Sequence, residues 1–227
     1  IANPENAHID TSDFEEKLRA KISDLQGGSD EEIYECVYNQ VFRRTNVAPP
    51  KPGDNDLLCR YLTPIKFLRF VDSRLLNFPL ATQFADPWEC SIPEDYNDAI
   101  VGILETLNLS ISGWTTYVRT RASEWNVSCW TRLENYFDDH LMWSAYAGGI
   151  DGVGITVRYR DLRALLEQAA RELDMAGQLQ SGLVNYETLS LLPFNKHAMF
   201  RNENEVRFAF RNFQLGATSI SVDKIFD

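Results

Sequence analysis

Apolar residues recur every three to four positions in the first part of the chain, a period that predicts helices. Phe14, Leu18, Ile22 and Leu25 fall on one face of a first segment, which Gly27-Gly28 brings to an end. Ser29 followed by Glu32 forms a capping box that opens a second helix, with Ile33, Val37 and Val41 on its apolar face. Ala48-Pro-Pro-Lys-Pro-Gly53 then makes a stiff connector. Beyond it the pattern changes. Leu57 to Leu62 reads as a strand, and Thr63-Pro64 supplies an N-cap and a proline at the first helical position. Ile65, Leu68, Val71 and Leu75 share one face of the helix that follows. Phe78-Pro-Leu80 reads as extended and Asp86-Pro87 as a turn. Helices are expected over 97–107 and 138–146, and the clearest amphipathic one starts at Asp161, with Leu162, Leu165, Leu166, Ala169 and Leu173. Strands are expected over 124–131, 152–157, 183–186 and 203–210, with an edge over 218–222.

Helices and strands mix without regular alternation, and no segment repeats. This predicts an α+β fold with a mixed, largely antiparallel sheet and packed helices. The connector divides an N-terminal helical extension over 1–53 from a main α+β domain over 54–227. Two helices alone bury little area, so the extension is expected to pack onto the main body.

Charge narrows the partners. The 22 Lys and Arg face 33 Asp and Glu, a formal charge of -11. Such a field disfavours duplex nucleic acid but leaves room for a local basic pocket that holds one small anion. No apolar run reaches the roughly 18 residues that span a bilayer, and no charged-then-apolar leader opens the sequence, so a cytoplasmic location away from membranes is expected. Cys36, Cys59, Cys90 and Cys129 include no C-x-x-C and read as buried thiols in a reducing compartment, although two disulfides remain formally open. His8, His140 and His197 fall in no ligand spacing, and no G-x-S-x-G is present, so no metal and no serine-hydrolase elbow are expected.

The segment 203–210 carries the most chemistry. Alternation puts Val206, Phe208 and Phe210 on one face and Glu203, Glu205 and Arg207 on the other. A half-solvated strand with surface acid–arginine pairs is the ordinary explanation of this pattern. Two further features point past it. Phe194-Asn-Lys-His-Ala-Met-Phe200 brings Lys196 and aromatic rings close in sequence to the acids. Arg60 sits inside an apolar strand, where an unpaired charge is very costly. Its partner is either structural, such as Asp86 or Glu89, or a ligand phosphate or carboxylate held in bidentate fashion.

Leu58-Cys-Arg-Tyr-Leu, Phe84-Ala-Asp-Pro-Trp-Glu, Val127-Ser-Cys-Trp-Thr, Leu141-Met-Trp-Ser-Ala-Tyr, Gly152-Val-Gly-Ile and Lys196-x-x-x-Phe-x-x-Glu-x-Glu-x-Arg follow in this order. Over about 56–211 the set resembles the bacterial and phage family catalogued as domain of unknown function 2971. That resemblance implies an architecture and no activity. A further likeness is to ADP-ribosyltransferases, whose sites order Arg, Ser and Glu-x-Glu on successive strands. It implies that Arg60 binds NAD, that Ser128 supports the site, that Glu205 stabilises the oxocarbenium-like centre, and that Glu203 orients the acceptor. Tyr61, Trp130 and Phe200 are then candidates to sandwich the nicotinamide ring, and Lys196 a candidate for a bound phosphate.

Two expectations therefore stand side by side. One is an NAD-using ADP-ribosyltransferase-like enzyme or glycohydrolase that binds a small nucleotide and acts on an acceptor which the sequence leaves unidentified. The other is a non-catalytic binding or regulatory domain, of the kind used in phage-defence or phage-encoded conflict systems, whose polar residues form a structural network.

Overall fold

A computed structural model describes residues 12–24, 28–43, 48–84, 89–90, 92, 94–134, 140–149, 151–175, 178–187, 190, 192–211 and 218–221. The chain forms α1 (Ser12–Ser23), α2 (Asp30–Arg43), β1 (Leu57–Leu62), α3 (Pro64–Ser73), β2 (Leu75–Phe78), α4 (Glu94–Thr106), α5 (Ile111–Ala122) and β3 (Trp125–Leu133). Then come α6 (His140–Met142), which runs into a π-helical turn over Trp143–Ala147, β4 (Val153–Arg158), α7 (Tyr159–Glu172), β5 (Leu179–Leu183), β6 (Glu205–Arg211) and β7 (Thr218–Ser221). This is the expected α+β class. The main sheet has order β4-β1-β3-β6-β5, and all its ladders are antiparallel. β2 and β7 form a separate two-stranded sheet, so the 218–221 segment is not an edge of the main one.

Both faces of the sheet are covered. On one, Trp125, Val127 and Ala209 pack with Leu18 and Ile22 of α1, Val37 and Val41 of α2, Ile103 of α4 and Trp114 of α5. The N-terminal helices thus belong to a core, as their apolar stripes require. The capping box expected at α2 is present: Ser29 N–H donates to Glu32 Oε2 at 2.7 Å and Glu32 N–H to Ser29 Oγ at 3.3 Å. On the other face, Leu58, Trp130, Val206, Phe208 and Phe210 pack with Leu162, Leu166 and Ala170 of α7 and with Leu76, Phe78 and Ile220 of the small sheet.

Several boundaries differ from expectation for local reasons. The last long strand begins at Glu205, because Asn204 adopts a left-handed conformation (φ 43°) that ends a 3-10 turn over Ala198–Glu203. Glu203 is therefore outside the strand. β5 covers 179–183 in place of 183–186. Its edge receives the proline connector: Leu183 N–H donates to Pro50 O at 2.7 Å, and a Cβ on Gly182 would stand 2.7 Å from the Pro49 ring. Glycine is needed there for close approach, and the connector blunts an exposed edge. Thr63 precedes Pro64 as expected, but its hydroxyl makes no capping bond. Gly27 and Asp86 lie outside the described residues.

Candidate functional site

The cavity that holds the candidate residues originates in the sheet itself. β1 pairs with β4 at six positions, whereas it meets β3 at three, Leu57–Leu133, Leu58–Arg132 and Cys59–Thr131. Past Cys59 the two strands part. The edge of β3 that β1 vacates is taken by the chain after β2: Val127 N–H donates to Pro79 O at 2.9 Å, and Asn126 Nδ2 to Phe78 O at 2.9 Å. Residues on both sides of the parting, Arg60–Leu62 and Cys129–Thr131, line one cavity of about 840 Å³. A space of this size accommodates a nucleotide-sized ligand.

The pleat sends the candidate residues to opposite faces. Arg60, two positions from Leu58, lies on the α7 side, where its Nη1 donates to Ser128 Oγ at 2.9 Å and its guanidinium stands 5.8 Å from the Trp130 ring. Trp130 Nε1 donates to the same hydroxyl at 3.1 Å. Glu205 and Arg207 project to the other side, so Arg60 does not face them directly. Arg60 and Glu205 both line the cavity at the parting of β1 and β3. Tyr61 also points to this second side, edge-on to Trp143 at 5.1 Å.

On that second side five charged side chains close on one another. Arg207, with no exposed surface, donates from Nε to Glu205 Oε1 at 2.7 Å and from Nη2 to Glu205 Oε2 at 2.9 Å. Its Nη1 donates to Pro193 O at 2.7 Å and pairs with Glu89. Lys196 Nζ lies 2.6 Å from Glu203 Oε2, 3.4 Å from Glu205 Oε2 and 3.8 Å from Glu89 Oε2. Tyr146 O–H donates to the other oxygen of Glu203 at 2.6 Å. The apolar alternation of β6 suggests one dry and one wet face, but both are dry, and the acid–arginine pair is buried. Glu89, considered for Arg60, serves Arg207 and Lys196.

These contacts set the ionisation. Burial alone would push the Glu205 carboxyl up, but the charges of Arg207 and Lys196 outweigh it and hold the group at about 2. Burial raises Glu89, more than its cationic neighbours lower it. Burial opposes the charge on Lys196, yet Glu205, Glu89 and Glu203 together hold its pKa above the ordinary value. Burial pulls the Arg60 guanidinium down, with no carboxylate among the described residues to oppose it. The four cysteines are free thiols, and burial raises Cys129 well above its usual value.

The cavity wall includes Arg60, Tyr61, Trp130, Lys196, Glu203 and Glu205, along with Glu89 and Tyr146. Ser128 and Phe200 stand behind it, Ser128 holding Arg60 and Phe200 lying under the Lys196 ammonium at 4.6 Å. Lys66, Arg69 and Ser73 of α3 complete the wall and were not singled out from the sequence. Their i, i+3, i+7 spacing was the available signal. Among the described residues, no group of three or more His, Cys, Asp and Glu could hold a metal ion, and no helix is long and apolar enough to cross a membrane. Comparison with family models, curated proteins and solved structures returns no match, which leaves the chemistry of the site as the guide to its function.

Proposed function

We propose that the cavity binds a nucleotide of the NAD type and that the protein transfers or hydrolyses its ADP-ribosyl group. The observation that carries this reading is the polarity of the cavity, with Arg60 and the α3 cations on one wall and Glu89, Glu203 and Glu205 on the other. NAD matches such a space, having a diphosphate at its middle and a cationic nicotinamide riboside at one end. Trp130 on one side of the parting and Tyr61 on the other offer ring faces or edges to an aromatic base.

In this reading the bond from ribose C1′ to the nicotinamide nitrogen breaks, and its electron pair leaves with nicotinamide. Positive charge that develops at C1′ meets a wall with three carboxylates against two cations. Glu205, clamped by Arg207, supplies a fixed negative charge. Glu203, the less enclosed of the two, orients the attacking hydroxyl or water and takes its proton. One observation favours a second reading. Both oxygens of Glu205 are held by Arg207, and those of Glu203 by Lys196 and Tyr146, which suits a domain that binds the nucleotide without turning it over.

Incubation with NAD while nicotinamide release is followed separates the two. The transferase reading expects release by the wild type and a loss of about 10²-fold or more in Glu203→Gln. Binding of NAD without release, under varied acceptors, supports the second reading. Absence of binding overturns both.

A further inference from the structure

Helix α3 leaves one apolar row in solvent. Ile65 and Leu68 are 61% and 65% exposed, Val71 is exposed too, and none of the ten residues is buried. Half-buried Phe67 and Phe70 face the molecule, Phe70 against the core, and the exposed Lys66, Arg69 and Ser73 flank them and line the cavity. A surface helix ordinarily lays its apolar row on the core and leaves its cations in water. Phe67 and Phe70 follow that rule, whereas Ile65, Leu68 and Val71 depart from it. Lys66 and Arg69 also have no ion-pair or hydrogen-bond partner among the described residues, and Arg60 beside them has only the neutral Ser128. In a chain with a formal charge of -11, three cations without a carboxylate on one cavity wall are a conspicuous departure.

We propose that Lys66 and Arg69, with Ser73, form a diphosphate clamp. This rests on the reading that the cavity takes a nucleotide. Side chains one helical turn apart reach neighbouring phosphates, and a guanidinium paired with an ammonium suits an anion with oxygens on two centres. Arg60 closes the clamp from β1. Ser73 Oγ accepts from Leu75 N–H at 3.2 Å, so its own proton is available to a phosphate oxygen. The clamp therefore selects ligands with two linked phosphates over those with one or none.

The test is calorimetric titration of the full chain with ADP-ribose, inorganic pyrophosphate, AMP and nicotinamide riboside. The variants are Lys66→Ala, Arg69→Ala and their double, with Leu68→Ala on the outward row as control. None of these residues is buried, so the variants are expected to keep the wild-type melting temperature. Each cation truncation is expected to weaken ADP-ribose about tenfold and the double variant further, while nicotinamide riboside changes less than about twofold. Leu68→Ala is expected to bind as the wild type does. Wild-type affinity for ADP-ribose in the double variant overturns the clamp and leaves the nucleotide reading standing. Pyrophosphate binding that the double variant loses, with no binding of ADP-ribose or NAD by the wild type, keeps the clamp and removes the nucleotide reading. Failure of the wild type to bind any diphosphate overturns both.

Discussion

The two walls of the cavity settle their charges in opposite ways. On the β6 side Glu89, Glu203, Glu205, Lys196 and Arg207 satisfy one another, in part through bidentate bonds, and the pairs are largely closed to solvent. On the α3 side Lys66 and Arg69 stand without partners among the described residues, and Arg60 holds a neutral serine. Charges that are mutually satisfied serve first to fix a structure, since breaking such a set is costly. Charges left without partners at a cavity wall have a free energy of interaction still to be gained, which the proposed ligand would supply. The contrast separates scaffold from site better than residue type does, because Arg appears on both walls.

The largest test of the contrast removes the hub of the closed wall. Arg207→Met strips Glu205 and Glu89 of a buried cation and is expected to cost about 3–5 kcal/mol in urea unfolding. Arg69→Ala, an equally drastic change of charge on the open wall, is expected to stay within about 0.5 kcal/mol. Similar losses from the two would erase the distinction between the walls.

The same comparison extends to the helices. α7 buries Leu162, Leu166 and Ala170 against the sheet, whereas α3 is only half-buried, through Phe67 and Phe70, and leaves Leu68 in solvent. Leu166→Ala is expected to lose about 2–5 kcal/mol and Leu68→Ala less than about 0.5, both read by chemical denaturation. A large loss from Leu68 would mean that its row is covered in solution.

A smaller effect appears in pH dependence. Glu205 is held down to about 2 from an ordinary 4.5, so the folded state binds its proton less tightly than the unfolded chain does. Its contribution is therefore complete above about pH 4.5 and is lost as pH falls towards about 2. Across that window the wild type is expected to lose stability more steeply than Glu205→Gln, by up to about 1.4 kcal/mol per pH unit. Parallel curves for the two would show that the Arg207 clamp does not hold the carboxylate ionised.

Much of the fold is legible in the sequence where local signals agree. The strand at Leu57–Leu62 is bounded by Thr63-Pro64, and α2 is announced by its capping box. α5 escapes notice because Thr115, Thr116 and Thr120 dilute its helical pattern, and in the structure their hydroxyls bond the carbonyl four residues back. The site is legible in composition and less so in geometry. Arg60, Glu203 and Glu205 do line one cavity, with Ser128 behind Arg60, but the alternation through Glu203-Asn-Glu205 hides the left-handed Asn204 that takes Glu203 out of the strand. Arg207 reads as a solvent-facing residue because its partner Glu89 is remote in sequence. The outward face of α3 is invisible to periodicity, which reports that a stripe exists and not which way it turns.

In the proposed function the parting of β1 and β3 creates a ligand site whose anion sits on the open wall. A crystal structure of the protein with ADP-ribose tests it most directly. The diphosphate is expected within hydrogen-bond reach of Arg60, Lys66 and Arg69, with the ribose turned towards Glu203. A cavity still empty at saturating ADP-ribose, or a diphosphate bound elsewhere on the surface, would contradict it.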